Sequence, residues 1–159
     1  NNNKLKIRCL DEIRKNVKEN QNIYVPEDIV KLVFDQCDMD IILSNNHPLD
    51  KKMNWKQVKE IHSHELFSIG GHSHNHISLG LLDEDVLKKE IETSIQFLKS
   101  KAGISPFHYS YPEGQKIDMN NNVKRLLQKN NIKCCPTAID GLNSLKPKSL
   151  FDLNRIMVY

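Results

Sequence analysis

Three histidines fall within five residues at His72-Ser73-His74-Asn75-His76, directly behind the glycine pair Gly70-Gly71. Neutral imidazole is the commonest protein ligand for zinc-like ions; one ring nitrogen binds while the other is held by a neighbouring group. A four-residue separation puts His72 and His76 on one side of a helical turn, with Cβ atoms about 5–6 Å apart. Two imidazoles so placed can converge on one ion at about 2.0–2.1 Å. An extended segment would instead put His72, His74 and His76 on one face. Ser73 stands where the H-E-x-x-H zinc proteases carry a general-base Glu, so that helix motif is excluded. Scattered surface histidines give such a pair by chance, but a cluster behind two glycines, which permit close backbone approach, favours a site.

The elements that must hold the cluster are legible around it. Leu66–Gly71 reads as a short strand leading into the histidines, and Asp83 opens an amphipathic helix to about Lys101 with Val86, Leu87, Ile91, Ile95 and Leu98 on one face. Gly103 lies just beyond that helix. Phe107–Tyr111 forms a second strand closed by Pro112-Glu113-Gly114. A helix at 119–130, a strand at 132–138 and a last strand at 153–158 follow. This alternation predicts parallel β/α packing. Before it, 4–19 carries a helical stripe (Leu5, Ile7, Leu10, Ile13, Val17), and Val25-Pro26-Glu27-Asp28 reads as a second helix start. Residues 44–50 form a polar loop, and Asn54 is placed to cap a helix over 55–63.

Bulk properties set outer bounds. The 159 residues are about one domain's worth of chain, with 38% hydrophobic and 27% charged residues, an ordinary globular balance. No apolar run approaches the roughly 18 residues of a membrane span. The net charge of +3 comes from dispersed lysines interleaved with acids, which argues against a nucleic-acid partner. Cys9, Cys37, Cys134 and Cys135 form no C-x-x-C pattern and read as free thiols, the last two buried. The chain opens without Met and carries no signal peptide; it reads as a fragment, and cytoplasmic and cell-envelope locations both stay open.

Four stretches in order resemble the polysaccharide-deacetylase (NodB-like) family of carbohydrate esterases. Ile69-Gly70-Gly71-His72-Ser73-His74-Asn75-His76 is similar to its H-[S/T]-x-x-H motif, and Met53–Ile61 resembles the Trp-bearing helix that precedes it. Phe107–Gln115 is similar to the family's F-A/S-Y-P-x-G motif; Cys135–Asn143 and Leu150–Ile156 resemble its late strands. The resemblance covers 53–158. It implies an α/β fold, a partial, distorted (β/α) barrel at 53–159 behind a helical insert or N-terminal segment at 1–52. It also implies metal-dependent N-deacetylation of an acetylated amino sugar in a poly- or oligosaccharide. A divalent metal, zinc before cobalt, nickel or iron, would be held by His72 and His76. Ser73 would brace the loop, Tyr111 and Pro112 would wall the substrate groove, the Glu113 N–H would face the oxyanion, and Arg155 would orient a carboxylate. The carbohydrate partner would be an N-acetylated polymer or glycan precursor.

The family's early Asp-Asp pair is absent, and Asp35-Gln36 is a poor substitute inside a helical pattern, so Asp35 reads as a surface residue. Three readings follow. The chain is a fragment whose aspartates lie outside it, or an inactive carbohydrate-binding relative, or a small structural zinc protein using the histidines with Cys134 or Cys135.

Overall fold

The computed structural model describes residues 2–20, 26–41, 49, 51–156 and 158. The expected start of the second helix at Val25 and most of the loop at 44–50 lie outside them, as does Met157. The chain divides into two units, Asn1–Lys52 and Met53–Tyr159.

The first unit is helical. α1 spans Asn2–Glu19 and α2 spans Pro26–Gln36. The helical stripe of α1 forms, but Leu5 (67% exposed), Ile7 and Leu10 remain open to solvent. Its i,i+4 ion pairs, Arg8–Glu12 at 3.2 Å and Lys15–Glu19 at 3.9 Å, are exposed and add only tenths of a kcal/mol, roughly, to the helix.

The second unit carries the core. α3 spans Trp55–Ser63 and starts at a full capping box: Gln57 N–H donates to the Asn54 side chain at 3.0 Å, and the Asn54 N–H donates to Gln57 Oε1 at 2.9 Å. α4 spans Glu84–Phe97, with Glu84 and Asp85 in its first turn, where the helix dipole favours negative charge. A π turn at Leu98–Ala102 follows and closes on Gly103. α5 spans Asn121–Lys129; its first turn is capped by Asn120, which accepts from the Val123 N–H at 3.0 Å.

Where strands were expected, the described residues form isolated parallel bridges: Gly71 with Tyr109, His108 with Cys134, and Asp140 with Arg155. The hydrogen bonds nevertheless run in order across four segments. Gly71 N–H donates to His108 O and Ser110 N–H to Gly71 O, at 3.0 and 2.9 Å. Lys133 N–H reaches Phe107 O, Tyr109 N–H reaches Cys134 O, and Cys135 and Thr137 donate to Leu150 and Leu153. Among the described residues the pairing thus runs in parallel order but forms no continuous strand and no closed barrel. Gly71 shows why glycine is needed there: a Cβ on it would lie 2.3 Å from Tyr109 Cε2.

The core gathers Leu79, Leu82, Leu87, Ile91, Tyr109, Tyr111, Val123, Leu126, Leu127, Ile132, Cys135 and Phe151. Each large apolar side chain buried here stabilises by about 1.5–3 kcal/mol relative to exposure. One expected face needs correction. On α4 the buried positions are Leu87, Glu90, Ile91 and Ser94, and Val86 is 39% exposed. Hydrophobicity favoured Val86, but hydrogen-bonding partners beneath the helix draw Glu90 and Ser94 inward instead.

Candidate functional site

The histidine segment leaves the ladder at Gly71 and is a loop, not a helical turn. Two of its non-glycine residues, Ser73 (φ 57°) and His76 (φ 54°), take the left-handed conformation. That reversal brings His72 and His76 together by a route the i,i+4 argument did not foresee. Their ring centroids are 4.8 Å apart and the rings stand edge to face. Two imidazoles on one tetrahedral ion at about 2.0–2.1 Å would have centroids about 5 Å apart. The pair fits that demand.

His72 is also oriented for it. Its Nδ1 lies 2.9 Å from the Ser110 carbonyl and 2.8 Å from Ser110 Oγ. A carbonyl only accepts, so Nδ1 carries the proton and Nε2 keeps its lone pair free for an ion. His74 is turned away: its ring packs against Phe97 at 5.0 Å between centroids. Histidines 72, 74 and 76 do not share one face.

The loop is tied from below. Ser73 N–H donates to Tyr109 Oη at 2.7 Å, and Tyr109 Oη shares a hydrogen bond with Ser94 Oγ at 2.8 Å. Burial pushes the Tyr109 phenol up to about 12, so it stays protonated. Ser73 braces the loop through its N–H, whereas its hydroxyl is buried with no partner among the described residues. Glu90, only 6% exposed, accepts from the His74 and Asn75 N–H groups. Sequence reasoning passed over Glu90, Ser94 and Tyr109. Polar residues at 90 and 94 within an otherwise apolar helix stripe were the available signal.

Beyond Ser110, Tyr111 and Pro112 are buried, and Tyr111 Oη donates to Phe151 O at 3.0 Å. Glu113 (φ 60°) and Gly114 (φ 69°) follow with consecutive left-handed backbone. Gly114 packs so closely on 138 that a Cβ would lie 2.6 Å from the Ala138 nitrogen. Glu113 is exposed, and among the described residues its N–H takes no part in the backbone bonds that hold this turn. Arg155 pairs through its backbone with Ile139 O and donates from Nε to Thr137 O at 2.5 Å, which fixes it to the late part of the ladder.

No group of three or more His, Cys, Asp or Glu side chains suited to a metal gathers among the described residues. The structural zinc reading fails on this point, because Cys134 and Cys135 do not join the imidazoles. Cys135 is buried beside Tyr111, and burial raises its thiol pKa. Asp35 lies exposed on α2. Among the described residues no helix is long and apolar enough to cross a membrane.

Solved structures match this chain. The Streptococcus pyogenes deacetylase PplD, solved with acetate, is 26% identical; the match covers 67% of this chain and 45% of that one, with a TM-score of 0.59. The BpsB deacetylase domain from Bordetella bronchiseptica is 20% identical over 74% of this chain and 54% of its own, also at 0.59. A de-N-acetylase from Aggregatibacter actinomycetemcomitans is 13% identical over 89% and 74%, with a TM-score of 0.56. The last two likenesses speak to the fold alone. The chain spans about half the length of the first two. No curated protein matches it significantly. A family model described as polysaccharide deacetylase matches residues 13–135, well over half the chain. This chain belongs to the polysaccharide deacetylase family.

Proposed function

We propose that the chain carries the imidazole side of a metal-dependent site for hydrolytic N-deacetylation of an acetylated amino sugar in a poly- or oligosaccharide. The observation that carries this reading is the convergence of His72 and His76, with Nδ1 of His72 held by Ser110. The ion, zinc being the first choice for imidazole ligands, would polarise the acetamide carbonyl and acidify a bound water. His72 and His76 would hold it. The N–H of Glu113 would donate to the developing oxyanion, a role that needs only backbone and so tolerates the Glu side chain. Tyr111 and Pro112 would keep that turn rigid beside the sugar, and Arg155 would orient a carboxylate. The water-activating acid and the third ligand have to come from outside the described residues. Residues 53–159 would form the catalytic β/α part and 1–52 a helical insert or N-terminal segment.

The absence of a third ligand among the described residues favours one second reading, a carbohydrate-binding relative without turnover. One assay separates them. The protein is incubated with an oligomer of N-acetylglucosamine and zinc, and both released acetate and new primary amine are measured. Deacetylation predicts both products in equal amounts, lost on adding a chelator and lost in His72→Ala. Binding of the oligomer with no acetate released, by a polypeptide that includes the third ligand and the acid, would decide for the non-catalytic reading.

A further inference from the structure

The loop between the two imidazoles has only three residues, Ser73, His74 and Asn75, and the backbone N–H of every one is engaged from the α4 side. Tyr109 Oη, itself bonded to Ser94, accepts from Ser73. Glu90 Oε2 accepts from His74 at 3.0 Å and Asn75 at 2.9 Å, and Glu90 Oε1 accepts from Asn75 Nδ2 at 2.5 Å. Carboxylates are almost never buried unless paired. This one meets no cation in these contacts; it faces three N–H donors of one loop. The left-handed backbone at Ser73 and His76 costs energy for non-glycine residues and persists only where surrounding contacts over-determine it. Those contacts are the bonds to Glu90 and Tyr109.

We propose that Glu90 is the positioning residue of the site: by clamping the His74-Asn75 backbone it sets the separation and orientation of the His72 and His76 rings. The cobalt arm of the test below rests on the two histidines being ligands; the other arm does not.

A charge-exchange cycle tests it. In Glu90→Gln the one remaining oxygen can keep the backbone pair while the amide NH₂ faces Asn75, whose own amide must then flip to accept through Oδ1; the tie survives in neutral form and loses its charge assistance. Asn75→Asp alone sets carboxylate against carboxylate. In the double variant the Gln NH₂ donates to Asp Oδ while its oxygen keeps the backbone pair, and the tie is restored with the charge exchanged. Two quantities are read on the 159-residue chain. The first, without metal, is the proton–proton Overhauser contact between the His72 and His76 rings together with amide exchange at 74 and 75. The second is Co²⁺ affinity from the visible absorption of the bound ion. Asn75→Asp should lose the ring contact, speed exchange and weaken Co²⁺ binding by roughly 10–100-fold; Glu90→Gln should shift each in the same direction by less, and the double variant should regain most of what Asn75→Asp lost. Asn75→Ala, at an exposed position, removes only the Oε1 tie and gives a smaller loss in the same direction should Glu90→Gln not fold.

Unchanged ring contact and unchanged cobalt affinity in Glu90→Ala, which removes every acceptor, and in Asn75→Ala, with only a lower melting temperature, would overturn the proposal and leave Glu90 as a fold support. A wild-type chain that takes up no cobalt would leave the metal-free arm to decide the clamp by itself. Loss of the ring contact in Asn75→Asp and its return in the double would then still uphold the clamp.

Discussion

Tyr109 shows how much one side chain can carry at this site. Its ring fills the space over Gly71, and its hydroxyl links Ser73 on the loop to Ser94 on α4. Tyr109→Phe keeps the ring but leaves the Ser73 N–H unpaired, at a cost of about 1–3 kcal/mol. Urea unfolding of the two proteins would measure it. The same residue makes stability fall at high pH. Its folded pKa, raised by burial to about 12, lies above the ordinary value of 10.0. Below pH 10 the phenol is protonated in both states and nothing is lost. Between about 10 and 12 the unfolded chain sheds the proton first, so roughly 2–3 kcal/mol of stability drains away across that window. Tyr109→Phe should flatten that part of the stability–pH curve; an equally steep fall in the variant would rule this account out.

Helix ends and ladder contacts decide what the elements contribute. α3 lies outside the buried core, with no fully buried residue of its own, so its cap matters more than its packing. Asn54→Ala removes one half of the capping box and should cost about 1 kcal/mol, read as a lower thermal midpoint with the histidine rings undisturbed. Gly71 is the opposite case. Gly71→Ala would drive a Cβ into the Tyr109 ring, 2.3 Å from Cε2. The ring has to move, and the Ser73 tie moves with it. The expected outcome is a loss of about 1–3 kcal/mol, as for other overpacked cores, accompanied by weaker Co²⁺ binding. A variant destabilised to that extent with wild-type cobalt affinity would show that ladder and loop are uncoupled.

At the scale of the whole chain, the two units differ in kind. Residues 53–159 have a buried core built from α4, α5 and the parallel ladder, whereas the helices of 1–52 show their apolar residues to solvent. The family match at 13–135 runs across both. The described residues bring two imidazoles together but gather no group of three or more His, Cys, Asp or Glu side chains suited to a metal.

The helices, the capping Asn54, the strand-like order around 71, 109 and 134, and the pairing of His72 with His76 were all legible in the sequence. Each depends on local chemistry or on a motif of neighbouring residues: periodicity, an Asx side chain before a helix, glycines before a histidine cluster. Tertiary structure decided the rest. The loop between the histidines is left-handed rather than helical because Glu90 and Tyr109, 15 and 36 residues from their loop partners Asn75 and Ser73, take up its N–H groups. The tautomer of His72 is set by a carbonyl 38 residues away. Ser94 and Glu90 turn inward where hydropathy alone would keep them out, since a polar group is buried when donors and acceptors wait for it. The polar positions 90 and 94 in an apolar stripe hint that something is bonded there, but spacing along the chain does not say what. Packing brings the partners within hydrogen-bond distance.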